Sequence, residues 1–390
     1  PFAFAAGVYA GMFVPTMLPW TTAGGGAPGL PVLQLAEVVG ERGVAALMAL
    51  TGGLLAHGVR AMVRERAWKR GALLVGGAAA VLAGQMVHGR MRMHAIETEM
   101  AAAPHARVAL VQPAIGASTR WDDDRAPSIL AGLTELTHRA EARGVELVVW
   151  PETAYPYRLP HGLTLDPLGA RAIRQPGVLG PVMTGVLMPG SPGGPAYNSV
   201  FVASPDGRLS APYDKRHLLW FGETVPLADH IPFLRHVFAR GLGLVPGETE
   251  VGLASGRVRA GVLVCYEDTL PEAGREAMEA HPNLLVNVTN DAWFAGSTEG
   301  DMHLRLSTMR SIELRRDMVR AVNLGPTSWV DATGRVRARA PVDFASSIVA
   351  EPALLEAPDT LYARFGDAPW AVAVLALANI AVWRAARRRR

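Results

Sequence analysis

The sequence predicts an α/β domain held between membrane-spanning helices. Two observations lead there. Uncharged apolar runs gather near both ends of the chain, and between them short apolar strands alternate with helical segments. A third observation, the order of the positive charges, gives the arrangement a direction. At 390 residues the chain exceeds one small domain and suits a large domain with further segments. A mean hydropathy of +0.17, with 19% charged residues, is apolar for an enzyme working in water.

Four runs carry the apolar character: Pro1–Trp20, Gly43 to about Gly58, Gly71–Val87 and Ala368–Trp383. Each is near the lower limit of the about 17–25 residues that cross a bilayer. Buried core helices are the alternative reading. Arg60, Arg64, Arg66, Lys69 and Arg70 lie between the second and third runs, and Arg384, Arg387, Arg388, Arg389 and Arg390 follow the fourth. The positive-inside rule puts both clusters in the cytoplasm and the chain from about 90 to 365 on the other side, against which only Arg90 and Arg92 weigh. Leu30–Gly40, with Gln34 and Glu37 among apolar residues, is expected to lie along the interface. The terminal arginines also fit a nucleic-acid patch, but their place after an apolar run favours a membrane flank, and no nucleic-acid partner is expected. No charged region precedes the first run, so no cleavable signal is expected, and Pro1 reads as a truncated or processed start. The expected organisation is about three spans over 1–92, a domain over 105–362, a last span over 368–383 and a basic cytoplasmic tail over 384–390.

In the central domain Val108–Val111 reads as a strand, Ser128–Arg143 as an amphipathic helix and Glu146–Trp150 as a buried strand. Val182–Leu187, Ser199–Ala203, Ala260–Cys265, Leu284–Val288 and Val319–Asn323 follow as strands. Pro205-Asp206-Gly207 and Ala332-Thr333-Gly334 mark hairpin turns. The single cysteine excludes an intramolecular disulfide and a cysteine-based metal cluster.

Three segments put reactive residues at the ends of apolar strands. Glu152, in Trp150-Pro151-Glu152-Thr153, is either a base with a raised pKa or a surface carboxylate. Lys215, in Tyr213-Asp214-Lys215-Arg216-His217-Leu218, could stabilise an oxyanion or simply face solvent; His217 reads as structural. Cys265, in Val264-Cys265-Tyr266-Glu267, is either a nucleophile served by a nearby base or an apolar filler.

Taken together, these segments resemble the three catalytic motifs of the nitrilase superfamily. More closely, Lys-x-His-Leu-x-x-Phe-Gly-Glu-x-x-Pro at 215–226 and Asn290-Asp291-Ala292-Trp293-Phe294 resemble the apolipoprotein N-acyltransferase family. So do Pro15–Gln34 and Thr360–Asp367. The resemblance implies a nitrilase-like αββα sandwich flanked by transmembrane helices, in a bacterial inner membrane with its catalytic domain on the periplasmic side. It implies a ping-pong transfer from a phospholipid donor, through a Cys265 thioester, to the amine of a diacylglyceryl apolipoprotein. Glu152 would be the general base, Lys215 the oxyanion stabiliser and Cys265 the nucleophile. Glu223 would orient Lys215 and the thiol, Tyr266 and Glu267 would shape the site, and Trp121 would lie near the substrate. No metal or organic cofactor is implied, and a monomer is expected.

Some positions depart from the family pattern. Membrane helices that the family carries before the region matching Pro1 have no counterpart in this sequence, which is expected to be either incomplete or that of a shortened member; Ala114 and Ser118 replace polar residues after Gln112, Ala295 is inserted before Gly296, and Pro326 stands where the family has an apolar residue. The alternative function is a membrane-associated nitrilase or amidase, which would share the triad but hydrolyse a small amide or nitrile.

Overall fold

The computed structural model describes residues 29–191, 194–225, 230–231, 233–234, 243–248, 252–369 and the single positions 372, 376, 379, 383 and 387. The first apolar run lies outside these residues, as does most of the last.

The second and third runs lie in two long helices, α2 (Ala36–Val63, 28 residues) and α3 (Trp68–Ala102, 35 residues), preceded by a short α1 (Leu30–Leu33). Both long helices are apolar and long enough to cross a membrane. At about 1.5 Å per residue each exceeds a hydrocarbon layer of about 30 Å. They outrun the apolar runs because the flanking polar residues are good helix formers, although α2 is kinked near its start, where Gly40 leaves helical geometry with φ +67°. Leu55, Val59, Leu73 and Val87 are exposed. The basic cluster caps the hairpin: Arg66 turns the chain with φ +52°, between helices that meet closely at two glycines. A Cβ at Gly71 would come within 2.3 Å of Met62 and 2.8 Å of the Gly58 carbonyl, so only glycine permits the approach.

The expectation that Leu30–Gly40 lies along an interface needs correction. Gln34 and Glu37 are buried in protein. The Glu37 carboxylate accepts from Arg92 at 2.6 and 2.9 Å and from Arg315 Nε at 2.8 Å, while Arg315 Nη1 donates to Gln34 Oε1 at 2.8 Å. Arg92 is therefore half of an internal ion pair, which removes its objection to the charge rule. These residues belong to one compact unit, which combines the described parts of Pro1–Thr98 and Pro358–Arg390 with Ile312–Arg315.

The second unit comprises Glu99–Ser311 and Arg316–Ala357. Its strands form two six-stranded sheets among the described residues. The first contains β1 (Val108–Gln112), β2 (Leu147–Val149), β3 (Val182–Pro189), β4 (Ala196–Ala203), β5 (Tyr213–Asp214) and the late β12 (Ser346–Ala350), in the order 12-1-2-3-4-5. The second runs 11-10-9-8-7-6 through β6 (Leu253–Ser255), β7 (Val258–Val264), β8 (Leu284–Thr289), β9 (Met318–Val322), β10 (Ser328–Val330) and β11 (Val336–Arg339). In each sheet the three central strands are parallel and the outer pairs antiparallel.

Alternation along the strands builds the layers. Val108, Leu110, Leu147 and Val149 face Val258, Ala260, Val262, Val264, Val286 and Val288 of the other sheet in one core. Ala109, Val111 and Val148 point the other way, onto Ile129, Leu133 and Ala140 of α4 (Ala126–Glu141). Leu263 packs on Ala273 and Ala277 of α5 (Pro271–Ala277). Each sheet is covered on both faces, so its central strands read as unbroken apolar runs. The helix–sheet–sheet–helix layering is the expected αββα sandwich. All seven predicted strands and both predicted hairpin turns form, with shifted ends; the short β5, β6, β10 and β11, and β12, were not predicted.

Candidate active site

Three strand ends supply the reactive groups. Glu152 follows β2 by way of Trp150 and Pro151. Trp150 Nε1 donates to Thr137 Oγ1 at 2.9 Å, and the Pro151 carbonyl accepts from Gly185 N at 3.2 Å. A Cβ at Gly185 would lie 2.5 Å from Thr153 N and 2.7 Å from Glu152 Cα, so β3 needs a glycine for this segment to cross it. Thr153 is left-handed, with φ +46°, and its carbonyl is held by Arg120, which also donates to the Tyr155 carbonyl at 2.9 Å.

Lys215 follows β5. Its N–H donates to the Asn198 carbonyl at 2.8 Å, and its own carbonyl accepts from Gly247 at 2.9 Å. The side chain is 1% exposed. Nζ lies 2.9 Å from Glu223 Oε1, 2.8 Å from Glu223 Oε2 and 3.7 Å from Glu152 Oε1. Asn198 Nδ2 donates to both carboxylates, at 2.7 Å to Glu152 and 3.1 Å to Glu223. The Tyr266 ring centroid is 5.2 Å from Nζ.

Cys265 stands just past β7, at the first position of a 3-10 turn, Cys265–Thr269. Strict alternation would send its side chain towards α5, as at Leu263. Instead its φ of +54° breaks the strand, and the side chain packs against the core between the sheets. Left-handed backbone at a non-glycine residue is strained and persists only where the surroundings enforce it. Two contacts enforce it here. Asn287 Nδ2 donates to the Cys265 carbonyl at 3.0 Å. The buried Glu267 carboxylate accepts from Val264 N at 2.8 Å, Arg216 N at 2.9 Å, His217 N at 3.0 Å and Tyr213 Oη at 3.0 Å. Glu267 thus ties the Cys265 turn to the backbone around Lys215.

Burial and neighbouring charges set the protonation. Burial pushes the Glu152 carboxyl up to about 7; Glu223 adds to this, while Lys215 and the Asn198 hydrogen bond oppose it. Burial works against the Lys215 ammonium, but Glu223, Cys265 and Glu152 outweigh it and hold it well above the usual lysine range. Burial and Glu152 push the Cys265 thiol well above its usual range, with Lys215 opposing. The arrangement is a fixed cation, a carboxyl balanced near neutrality and a thiol that is protonated at rest. Such a thiol reacts only if its proton leaves as it attacks.

The structure therefore brings Glu152, Lys215, Glu223 and Glu267 into one polar network with the Cys265 turn and the Tyr266 ring. Trp121 ends the short turn Thr119–Trp121, and its side chain lies outside what is described. His217 Nε2 donates to Glu276 Oε2 at 2.8 Å and so faces α5. Asn198 and Gly185 were missed in the sequence. An Asn inside an apolar strand was the available signal for the first, since strands are poor in Asn. Beside the site Asp291, Glu299 and His303 have oxygen and nitrogen atoms within 4.8 Å of one another, a spacing that suits a metal. However, both His303 nitrogens already face carboxylates, and Arg320 occupies the neighbouring Asp268 at 2.9 Å. The charges are met by protein groups.

Several known proteins are similar to this chain. Residues 107–351 match the carbon–nitrogen hydrolase family. An apolipoprotein N-acyltransferase of Geobacter metallireducens is 33% identical over 92% of this chain and 68% of its own length. The chain belongs to the apolipoprotein N-acyltransferase family. A second member, from Bradyrhizobium diazoefficiens, is 32% identical over 96% of this chain and 70% of its own. A third apolipoprotein N-acyltransferase, from Methylococcus capsulatus, is 33% identical over 90% and 66%. The chain thus spans about two thirds of the length of these relatives. Among solved structures, an amidase of the nitrilase superfamily from Nesterenkonia matches 69% of this chain and 96% of its own, at 19% identity and a TM-score of 0.48. Membership of the N-acyltransferase family makes the chain an acyltransferase with a nitrilase-like fold, and the small-amide hydrolase is not favoured.

Proposed function

We propose that this acyltransferase moves a fatty acyl chain from a phospholipid to the N-terminal amine of a diacylglyceryl apolipoprotein, by a ping-pong reaction at Cys265. Cys265 Sγ attacks the ester carbonyl while Glu152 takes the thiol proton. Lys215 and a backbone N–H beside Tyr266 stabilise the oxyanion. The tetrahedral intermediate collapses to a thioester. Glu152 returns the proton to the departing alkoxide, which leaves as a lysophospholipid. The acceptor amine then attacks the thioester, Glu152 accepts its proton, and the thiol is regenerated. Glu223 orients Lys215, while Tyr266 and Glu267 shape the turn.

The observation that carries this reading is the buried Lys215 ammonium between Glu152 and Glu223, beside a cysteine strained off the end of β7. A lipid donor also fits α2 and α3 as spans. In this reading 1–92 and 368–383 form the membrane helices, 105–362 is a periplasmic catalytic domain and 384–390 is a cytoplasmic tail in a bacterial inner membrane.

The test is incubation of the purified chain with acyl-labelled phosphatidylethanolamine in vesicles. Label should appear on Cys265, be released by hydroxylamine, and pass to a diacylglyceryl-cysteine peptide when one is added. Cys265→Ala should carry no label. Label that persists on Cys265→Ala, or small-amide turnover without lipid labelling, would overturn the reading.

A further inference from the structure

Next to the site lies a second buried group of charges to which the reaction above assigns no part. His303 lies on α6 (Glu299–Leu314) and is 3% exposed. Its Nε2 is 2.8 Å from Asp268 Oδ1 and its Nδ1 is 3.2 Å from Asp291 Oδ1. Arg320 of β9 donates through Nε to the other Asp268 oxygen at 2.9 Å. Glu299, one helical turn before His303, is 3.8 Å from Nδ1. The charged groups that the neighbouring turns, β9 and α6 itself bring to His303 are therefore Asp268, Asp291, Glu299 and, through Asp268, Arg320.

The positions of the two aspartates make the group relevant to the chemistry. Asp268 lies in the same 3-10 turn as Cys265. Asp291 opens the next turn, Asp291–Phe294, after β8, which pairs in parallel with β7. One imidazole therefore fastens the turn that carries the nucleophile to the turn beside it. The second oxygen of Asp291 has no hydrogen-bond partner among the described residues. Its charge reaches the site and pushes both Glu152 and Cys265 up. Burial opposes a charge on His303, but Asp268 and Asp291 outweigh it and hold the imidazole up at about 10. Both nitrogens are donors only in that cationic form.

We propose that His303 is a positioning residue for acyl transfer: its cation, clamped between Asp268 and Asp291, holds the nucleophile turn in place and offsets the negative field at Cys265 and Glu152. The inference rests on the reading of Cys265 as the nucleophile. It predicts effects of opposite sign. Removing the cation leaves Asp291 without its imidazole and makes the thiolate harder to form. Removing the Asp291 charge makes it easier.

Because Cys265 is the single cysteine, its alkylation by iodoacetamide reads the thiol directly. The full-length chain in detergent would be titrated as wild type, His303→Gln, Asp291→Asn, the double variant and His303→Lys, with circular dichroism confirming the fold. The alkylation midpoint should rise by about one pH unit in His303→Gln, a tenfold slower reaction at fixed pH below the midpoint. It should fall in Asp291→Asn, return towards wild type in the double variant and stay near wild type in His303→Lys, which keeps a cation. If His303→Gln does not fold, Asp291→Asn and His303→Lys still carry the test. Folded variants with unshifted midpoints, or shifts of one sign, would overturn the proposal. Acyl transfer plays no part in this readout. Shifted midpoints without any lipid labelling would therefore refute the functional reading and leave the role of His303 standing.

Discussion

The two buried charge clusters of the catalytic unit are built from the same residue types and balanced differently. Around Lys215, three carboxylates (Glu152, Glu223 and Glu267) and a thiol share one ammonium. Around His303, Asp268, Asp291 and Glu299 meet an imidazole and the Arg320 guanidinium, and there Glu299 is pushed up to about 7. The Asp268–His303–Asp291 clamp and the Asp268–Arg320 pair tie two turns together. The Lys215 cluster lacks a cation for every anion, and the deficit appears as a carboxyl pushed up to about 7, which can take and return a proton near neutral pH. The lesson is that one counter-charge too few leaves a carboxyl near neutrality in both clusters, and only the cluster around Lys215 sets that carboxyl beside a cation and a thiol.

The sharpest test neutralises one acid in each cluster. Glu152→Gln should slow acyl transfer by about 10²–10⁴-fold, the usual worth of a positioned base. Wild-type activity should rise with pH through about 7 as Glu152 ionises, and the variant should lose that limb. Stability should move the other way. In the folded protein Glu152 keeps its proton up to about 7, against 4.5 ordinarily, so the folded state binds the extra proton between those values. Stability therefore falls as pH rises through that window, and the cost is complete above it. Glutamine carries no such cost. The variant should melt higher than wild type at pH 8 and alike at pH 4. Asp268→Asn in the His303 cluster should instead lose stability, by about 3–5 kcal/mol, because it strands Arg320 and leaves His303 a single aspartate. Thermal melts that move in the same direction for both variants would break the comparison.

Lys215→Met removes the scarce cation itself. Its expected loss of rate is about 10²–10³-fold, the scale for deleting one oxyanion donor. The variant also removes the cation that opposes the rise at Glu152, so Glu152 should hold its proton longer and the remaining activity should shift to higher pH. A pH profile identical to wild type would show that Lys215 does not set the base.

Much of this was legible in the sequence, for a physical reason. Strands covered on both faces must be continuously apolar, so each strand's chemistry stands out at its end, as Glu152 and Cys265 do. Lys215 and Glu223 lie eight residues apart in one loop and were carried by the resemblance of that segment. What stayed hidden depends on partners far away in the chain. Nothing near Gln34 or Glu37 announces Arg315, 281 residues from Gln34, so a buried ion pair was read as an interfacial stretch. β12 closes the first sheet against β1 across the length of the domain, and its Ser346–Ala350 run is short and half-exposed. Asp268 and His303 stand 35 residues apart, in segments that share no motif, so only the fold joins them. Trp121 and the first span remain expectations.

The smallest expected effect tests whether the Glu152 side of the site is placed by packing or by its own charges. Gly185 lies on β3 under the Pro151–Thr153 crossing and contributes no side chain to the chemistry. A methyl group there meets the backbone of Glu152 and Thr153 at under 3 Å, so the segment must lift away from β3. Backbone cannot swing aside as a flexible side chain can. Gly185→Ala should therefore cost about 1–3 kcal/mol of stability, the range for overpacking a core. It should slow acyl transfer by about tenfold or more, since the carboxyl moves relative to Lys215. If the charges alone held Glu152, the ion pair at 3.7 Å and the Asn198 bond at 2.7 Å would pull the carboxyl back, and the rate would recover despite the lost stability. Measuring thermal midpoint and rate on the same preparation separates the two outcomes: rate and stability falling together assign the placement to packing, and stability falling alone assigns it to the charges.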